Sequence, residues 1–242
     1  MGMVRPAPAP PFVGGGGIDP AIGYERHLSY KVAVYRPPAF REDRPEILYE
    51  AVQAHPLGTL ITYGASGLMA NAVPFTLRVE ASSVILRAHL AKANEQVVHL
   101  QEGSSVLDVF QGPQAYVSPS WYATKREHGK VVPTWNYVIV QARGRPVMVE
   151  SQDWLGEQID KLTSIHERGR SEPWSLDDAP ADFVAGQMKG IIGLEIPIER
   201  IEGKCKVSQN QPMPNRVGVE RGLRDDGRID MADEVANRGQ GG

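Results

Sequence analysis

Four polar–aromatic clusters hold most of the side chains that could do chemistry. The first is His89-Leu-Ala-Lys92-Ala-Asn94-Glu-Gln96, where a strand pattern gives way to a helix pattern. Lys92 supplies a point charge and Asn94 can cap the helix. The free N–H groups of a helix start favour an anion, so this stretch reads as a phosphate seat. A simple cap beside a solvated lysine is the plainer alternative. The second cluster runs Phe110-Gln-Gly-Pro-Gln-Ala-Tyr116-Val-Ser118-Pro-Ser120-Trp121-Tyr122, then Lys125. A planar ligand could lie against its rings while serine hydroxyls hold the polar edge, or the rings could simply plug the core.

The third cluster is Val132-Pro-Thr134-Trp135-Asn136-Tyr137. In an extended segment Thr134 and Asn136 point one way and Trp135 and Tyr137 the other. The expectation is a hydrogen-bonding face opposite a packing face; an ordinary strand start would look similar. The fourth is Gly203-Lys204-Cys-Lys206-Val-Ser208-Gln209-Asn210. Lys204 and Lys206 share a face and could neutralise a phosphate held by a neighbouring element or subunit. The competing reading is a solvated edge strand, because edge lysines discourage aggregation.

Other chemistries lack their signatures. There is no G-x-x-x-x-G-K-[ST] loop, no G-x-G-x-x-G after a strand, no H-E-x-x-H and no G-x-S-x-G. Six scattered histidines do not suggest a metal site, and Cys205, the one cysteine, excludes an internal disulfide and reads as a packed residue. That cysteine usage fits a reducing cytoplasm.

The elements that must position these clusters follow from periodicity. Helices are expected at about 44–54, 93–101, 152–167 and 180–190. Strands are expected at about 57–62, 68–79, 83–89, 106–110 and 135–149. Gly64-Ala-Ser-Gly67 reads as a hairpin turn, and Pro74 suggests an edge or a bulge. The stretch 111–133 reads as turn-rich. Leu194, Ile196, Ile198 and Ile201, interleaved with Glu195, Glu199 and Arg200, mark a strand with one wet face. Many short strands, a few helices and no βαβ rhythm suggest a mainly β, α+β chain built on an antiparallel barrel.

Length and composition set the frame. The chain has 242 residues, 41% of them hydrophobic, which suffices for a real core without metal or disulfides. Residues 1–34 open with a proline- and glycine-rich run and are expected to be a flexible extension. Residues 35–223 form the folded body. Residues 224–242, with five acids and three arginines, are expected to be a flexible tail with at most a short helix near 229–236. The formal net charge is −3, without the basic stripe of a DNA-binding domain, which speaks against direct DNA binding. No apolar run is long enough to cross a membrane as a helix.

In this order, the clusters resemble the PaiB-type family, the FMN-binding negative transcriptional regulators. The resemblance spans about 35–223. It includes Tyr35-Arg-Pro-Pro-Ala-Phe40-Arg41, His55-Pro-Leu-Gly58-Thr59-Leu60, Ala70-Asn71-Ala-Val-Pro74-Phe75, Pro173-Trp174 and the four clusters above. It implies an antiparallel split β-barrel similar to pyridoxamine-phosphate oxidases, with FMN at the interface of a homodimer. By the same resemblance, Lys92 and Asn94 would hold the phosphate, and His89 and Asn71 would line the cofactor cleft. Thr134, Trp135 and Asn136 would lie by the ring or ribityl chain. Lys204, Ser208, Gln209 and Asn210 would approach from the carboxyl-terminal strand. The chain departs from the family at Lys92 and Gln211, where arginine is usual, at Gln141, where histidine is, and at Cys205, where tryptophan is. A repressor is the function implied by the family name; an FMN-dependent oxidoreductase acting on a small molecule and a barrel without flavin are the alternatives.

Overall fold

The computed structural model describes residues 34–238. All but the last residue of the expected N-terminal extension, and the last four residues of the chain, lie outside them. After the short strand β1 (Arg41–Glu42) comes α1 (Pro45–Ala54), opened by a proline in its first turn and ended before His55-Pro56. Strands β2 (Leu57–Gly64) and β3 (Gly67–Pro74) form the expected hairpin, with Gly64 opposite Gly67. Gly67 has φ 96°, a left-handed backbone that favours glycine. Next come β4 (Thr76–Val79), β5 (Val84–Ala91), α2 (Gln96–Gln101), β6 (Val106–Val117), the single turn α3 (Lys125–His128), β7 (Thr134–Gly144) and β8 (Val147–Val149). The chain then forms α4 (Gln152–Glu167), α5 (Ala181–Lys189), β9 (Ile191–Lys206), α6 (Met213–Asp225) and α7 (Ile229–Asn237).

All strand pairings are antiparallel, in the order β3-β2-β6-β7-β9-β5-β4, with β1 and β8 also on β9. The two ends of that order, β3 and β4, are consecutive in the chain and joined by Phe75 alone. The sheet must therefore curl until its ends meet. It closes there without a β3–β4 ladder, which makes a split barrel.

One core fills the barrel, with Leu60, Phe75, Leu86, Phe110, Leu194 and Ile196 almost fully buried and α1 and α2 contributing Leu48, Val52, Val97 and Leu100. A second core lies at the far end of β6, β7 and β9, where Val117, Val138 and Val207 pack against Val219, Leu223, Met231 and Val235 of α6 and α7. The C-terminal region is thus not a flexible tail through residue 238. Its apolar side seals the second core, and its charges are paired, locally as in Arg224–Asp233 at 2.8 Å and across the sequence as in Arg238–Glu42 at 3.1 Å.

Two other expectations are corrected. The stretch after Phe110 is not turn-rich throughout: β6 continues to Val117, and Gly112-Pro113 is a bulge, visible as a register shift between Gln111 and Gln114. The strand carrying Lys204 and Lys206 is not an edge. β9 runs sixteen residues, pairing with β5 and β8 in its first half and β7 and β1 in its second. Its register skips Glu199, and that bulge brings both Ile198 and Ile201 onto the core.

Candidate functional site

The first cluster sits where β5 hands over to α2. Asn94 caps the turn: its Oδ1 accepts from the Gln96 N–H at 2.9 Å, and its carbonyl accepts from the Val97 N–H at 3.0 Å. The helix begins only at Gln96 and lasts six residues, and the N–H of Gln96 is already taken by Asn94. The expected anion seat on free helix N–H groups therefore does not form. An anion there would depend on the Lys92 ammonium, exposed and without a partner among the described residues, and on the remaining Asn94 N–H groups.

Asn71 projects from β3 toward the barrel interior and donates to Gln96 Oε1 at 2.9 Å. Gln96 is fully buried, and its amide also donates to the Leu60 carbonyl at 2.9 Å and to Thr62 Oγ1 at 3.2 Å. Thr62 is also 3.1 Å from the Nδ1 of buried His99. Sequence reasoning passed over Gln96 as a site residue, although it closes the first cluster. His89 is not part of this group. It alternates with the core residues Ala88 and Leu90 and so faces the other side of β5, where Arg87 stacks on Trp154 of α4 at 4.2 Å. Burial lowers the His89 pKa, and its Nδ1 is buried without a partner among the described residues.

The third and fourth clusters meet. Asn136 is fully buried and donates to Ser208 Oγ at 2.9 Å. Ser208 has φ 63°, the one left-handed non-glycine backbone among the described residues. Lys206 donates to Thr134 Oγ1. Gln209 accepts from the Val207 N–H at 2.8 Å and donates to the Cys205 carbonyl, while Asn210 stands exposed in the same turn. Cys205 is buried, and burial pushes its thiol up to about 11, in keeping with a packed residue.

The faces of this strand are the reverse of the expected ones. The polar pair Thr134 and Asn136 turns inward, and Trp135 turns outward, half-exposed. There it stacks edge-on with Tyr116 at 6.1 Å and donates to Gln114 at 3.1 Å. Beside it on the outer face, Lys204 is held between the rings of Tyr35 and Tyr137, 5.1 and 5.3 Å away. The neighbouring acid, Glu202, is taken by Arg36 at 2.6 Å, Arg200 at 2.8 Å and Arg143 at 3.6 Å. Lys204 therefore keeps a charge with no carboxylate against it.

One chain does not join the two groups. Asn71 is level with Leu60, Asp108 and Ala142, whereas Asn136 lies six residues away along β7. Measured on the sheet surface, that is three strand spacings across, about 14 Å, and about 20 Å along. Between them the outer face of β3, β2, β6 and β7 carries Leu57, Ile61, Tyr63, Leu68, Val109 and Ile139, all exposed or half-buried.

The family model described as "Putative FMN-binding domain" matches residues 34–200. An uncharacterized protein of Emericella nidulans is 34% identical over 232 residues, covering 81% of this chain and 92% of its own. The protease synthase and sporulation protein PAI 2 of Bacillus subtilis is 32% identical over 178 residues, covering 74% and 83%. Among solved structures, the flavocytochrome Anf3 from Azotobacter vinelandii superposes with a TM-score of 0.54 at 14% identity, covering 73% of this chain and 74% of that one. The FAD and heme binding protein from Mycobacterium smegmatis gives 0.51 at 16%, covering 69% and 73%. At these identities the solved structures speak for the fold alone.

Proposed function

Because the chain belongs to the FMN-binding family whose model spans residues 34–200, with a PaiB-type relative in Bacillus subtilis, we propose that it binds FMN in a seam between two copies of itself. The observation that carries this reading is the separation of the two polar groups, with a bare apolar sheet face between them. Lys92, Asn94 and Asn71 stand at one end of the sheet, and Lys204, Trp135 and Tyr137 at the other. A second copy laid against that face would bring one copy's first group to the other's second, and would cover Ile61, Val109 and Ile139.

The donor set fits the cofactor. Among the described residues Lys92 and Lys204 have no acidic partners, which suits them to a phosphate. Trp135 and Tyr137 offer flat apolar surface to a ring. FMN, when bound, supplies hydride and electron transfer; the chain's own residues orient it and exclude water. The half-buried Tyr137 is the candidate proton-handling group near it.

An oxidoreductase acting on a small molecule is favoured over direct operator binding, because the formal net charge is −3 and several exposed arginines, such as Arg78, Arg145 and Arg224, lie in ion pairs with acids. A reducing cytoplasm is the compartment this reading expects. No helix among the described residues is long and apolar enough to cross a membrane.

The test is equilibrium binding of FMN to the purified chain together with its solution mass. A yellow complex at twice the 26.5 kDa chain mass supports the reading. A colourless monomer that stays so after FMN is added removes it. Oxidation of NADH or NADPH by the loaded protein, against a salt-sensitive DNA shift, separates enzyme from repressor.

A further inference from the structure

Gln96 is sealed in the barrel wall between two of the amides assigned to the FMN pocket, and its contacts leave those amides no freedom of orientation. A backbone carbonyl only accepts hydrogen bonds. The end of the Gln96 side chain 2.9 Å from the Leu60 carbonyl must therefore be its NH2. Its Oε1 is then the atom facing Asn71, so Asn71 must present its NH2 inward, at 2.9 Å. A backbone N–H only donates, so Asn94, 2.9 Å from the Gln96 N–H, must present its oxygen inward. Two chemically identical side chains are thus turned opposite ways. Asn94 keeps a free NH2 and Asn71 a free carbonyl oxygen.

We propose that Gln96 is the positioning residue that fixes the polarity of this pocket, with a donor at Asn94 and an acceptor at Asn71. The inference rests on the FMN reading and deepens it. A phosphate dianion only accepts hydrogen bonds, so it belongs with Asn94 and with the Lys92 ammonium two residues earlier. The Asn71 oxygen repels a phosphate and takes a group that carries a hydrogen, a ribityl hydroxyl or a ring N–H. The pocket therefore recognises an anion followed by a hydrogen-bearing group, in that order from Asn94 to Asn71. Gln96 touches no ligand in this arrangement and acts on Asn71 through its side chain and on Asn94 through its main chain.

The experiment compares affinity for FMN and for riboflavin, which lacks the phosphate, with the melting temperature of each unliganded variant. Asn94→Asp keeps the inward oxygen and replaces the free donor by a carboxylate oxygen. FMN affinity should fall about tenfold or more while riboflavin affinity stays within about twofold, with the melting temperature unchanged. At position 71 the two readouts should cross. Asn71→Asp sets oxygen against Gln96 Oε1 and should melt lower than Asn71→Leu, yet it keeps an outward acceptor and should bind both flavins more tightly than Asn71→Leu. Gln96→Leu should weaken both flavins, and add nothing to the affinity loss in the Asn71→Leu background. A purely structural role for Gln96 predicts affinity and melting temperature in the same order at position 71, and additive losses in the double variant; either result overturns the proposal. So does an Asn94→Asp variant that weakens both flavins equally. A wild-type chain that binds neither flavin overturns the FMN reading itself, and the ligand assignment with it.

Discussion

The two faces of the β3-β2-β6-β7 wall are built from alternate residues of the same strands, and they break the ordinary rule in opposite ways. On the covered face, under α1, α2, α6 and α7, Asp108 and Asn136 are fully buried among aliphatic side chains. On the other face Leu57, Tyr63 and Leu68 are 63%, 67% and 75% exposed, and Trp135 is half-exposed. Adjacent rungs of one ladder show the contrast: Leu60 opposite Asp108 inside, Thr59 opposite Val109 outside. A wall with apolar residues on both sides is one that is meant to be covered on both. The described residues of one chain cover one. The inner polar groups mostly have partners, as with Asn136 and Ser208, whereas among the described residues nothing packs over Leu57, Tyr63 and Leu68.

The contrast can be broken most forcefully from inside. Leu60→Ala opens a cavity in the barrel core and should cost about 2–5 kcal/mol of unfolding free energy, read from a denaturant midpoint. A smaller loss would mean that α2 relaxes into the space.

Asp108 is the next lever. Neither carboxyl oxygen has a partner among the described residues, and burial pushes its pKa well above the usual value. The folded state thus holds the protonated form more tightly than the unfolded chain does. Its contribution is fully present below about pH 3.9 and is lost as the pH rises through the raised folded value. Asp108→Val should therefore stabilise the protein at neutral pH by about 1–3 kcal/mol and flatten its stability against pH. A destabilised Asp108→Val would point to a hydrogen-bonded role that the chain alone does not reveal.

Lys92→Ala should leave folding untouched and weaken FMN by about tenfold, near 1.4 kcal/mol; unchanged affinity would remove Lys92 from the phosphate site. Val109→Asp should be the mildest for the chain's own stability, about 1 kcal/mol or less, because its side chain is not in the core. Sedimentation should nonetheless find it monomeric and poor at binding FMN. If it remains a dimer, the bare face is not the interface.

Much of the architecture was readable from residue patterns, and the misreadings have physical causes. Helix α4 falls where Ser151 and the spacing of Leu155, Ile159 and Leu162 put it, with Ser151 accepting from the Trp154 N–H. The three-residue step from Ile198 to Ile201, after steps of two, was the visible trace of the β9 bulge. Gly112-Pro113 looked like a turn because a bulge uses the same residues. The charges of residues 224–238 suggested a tail, since their partners, such as Glu42, are far away in sequence. Within the site, Thr134 and Asn136 were correctly put on one face. Alternation alone could not say which face was inside, and polar-inside is the exception to hydrophobic patterning. Gln96 carried no signal beyond its place in a cluster. Asp108, a lone acid within Val106-Leu-Asp-Val-Phe110, was a signal that went unread.

Strand β9 has a consequence for how the protein is made. It is the last strand to be synthesised, yet β1, β5, β7 and β8 all pair with it. On the ribosome, everything upstream must wait with open backbone edges until residue 206 or so has left the exit tunnel. The β2–β3 hairpin and its β6 neighbour can form early; the closed barrel cannot. Such late, long-range closure is slow and leaves apolar strands exposed to other nascent chains. Slowing translation after β6 has emerged and before β9 has cleared the tunnel should therefore lower the soluble yield, whereas slowing it before β2 is made should not.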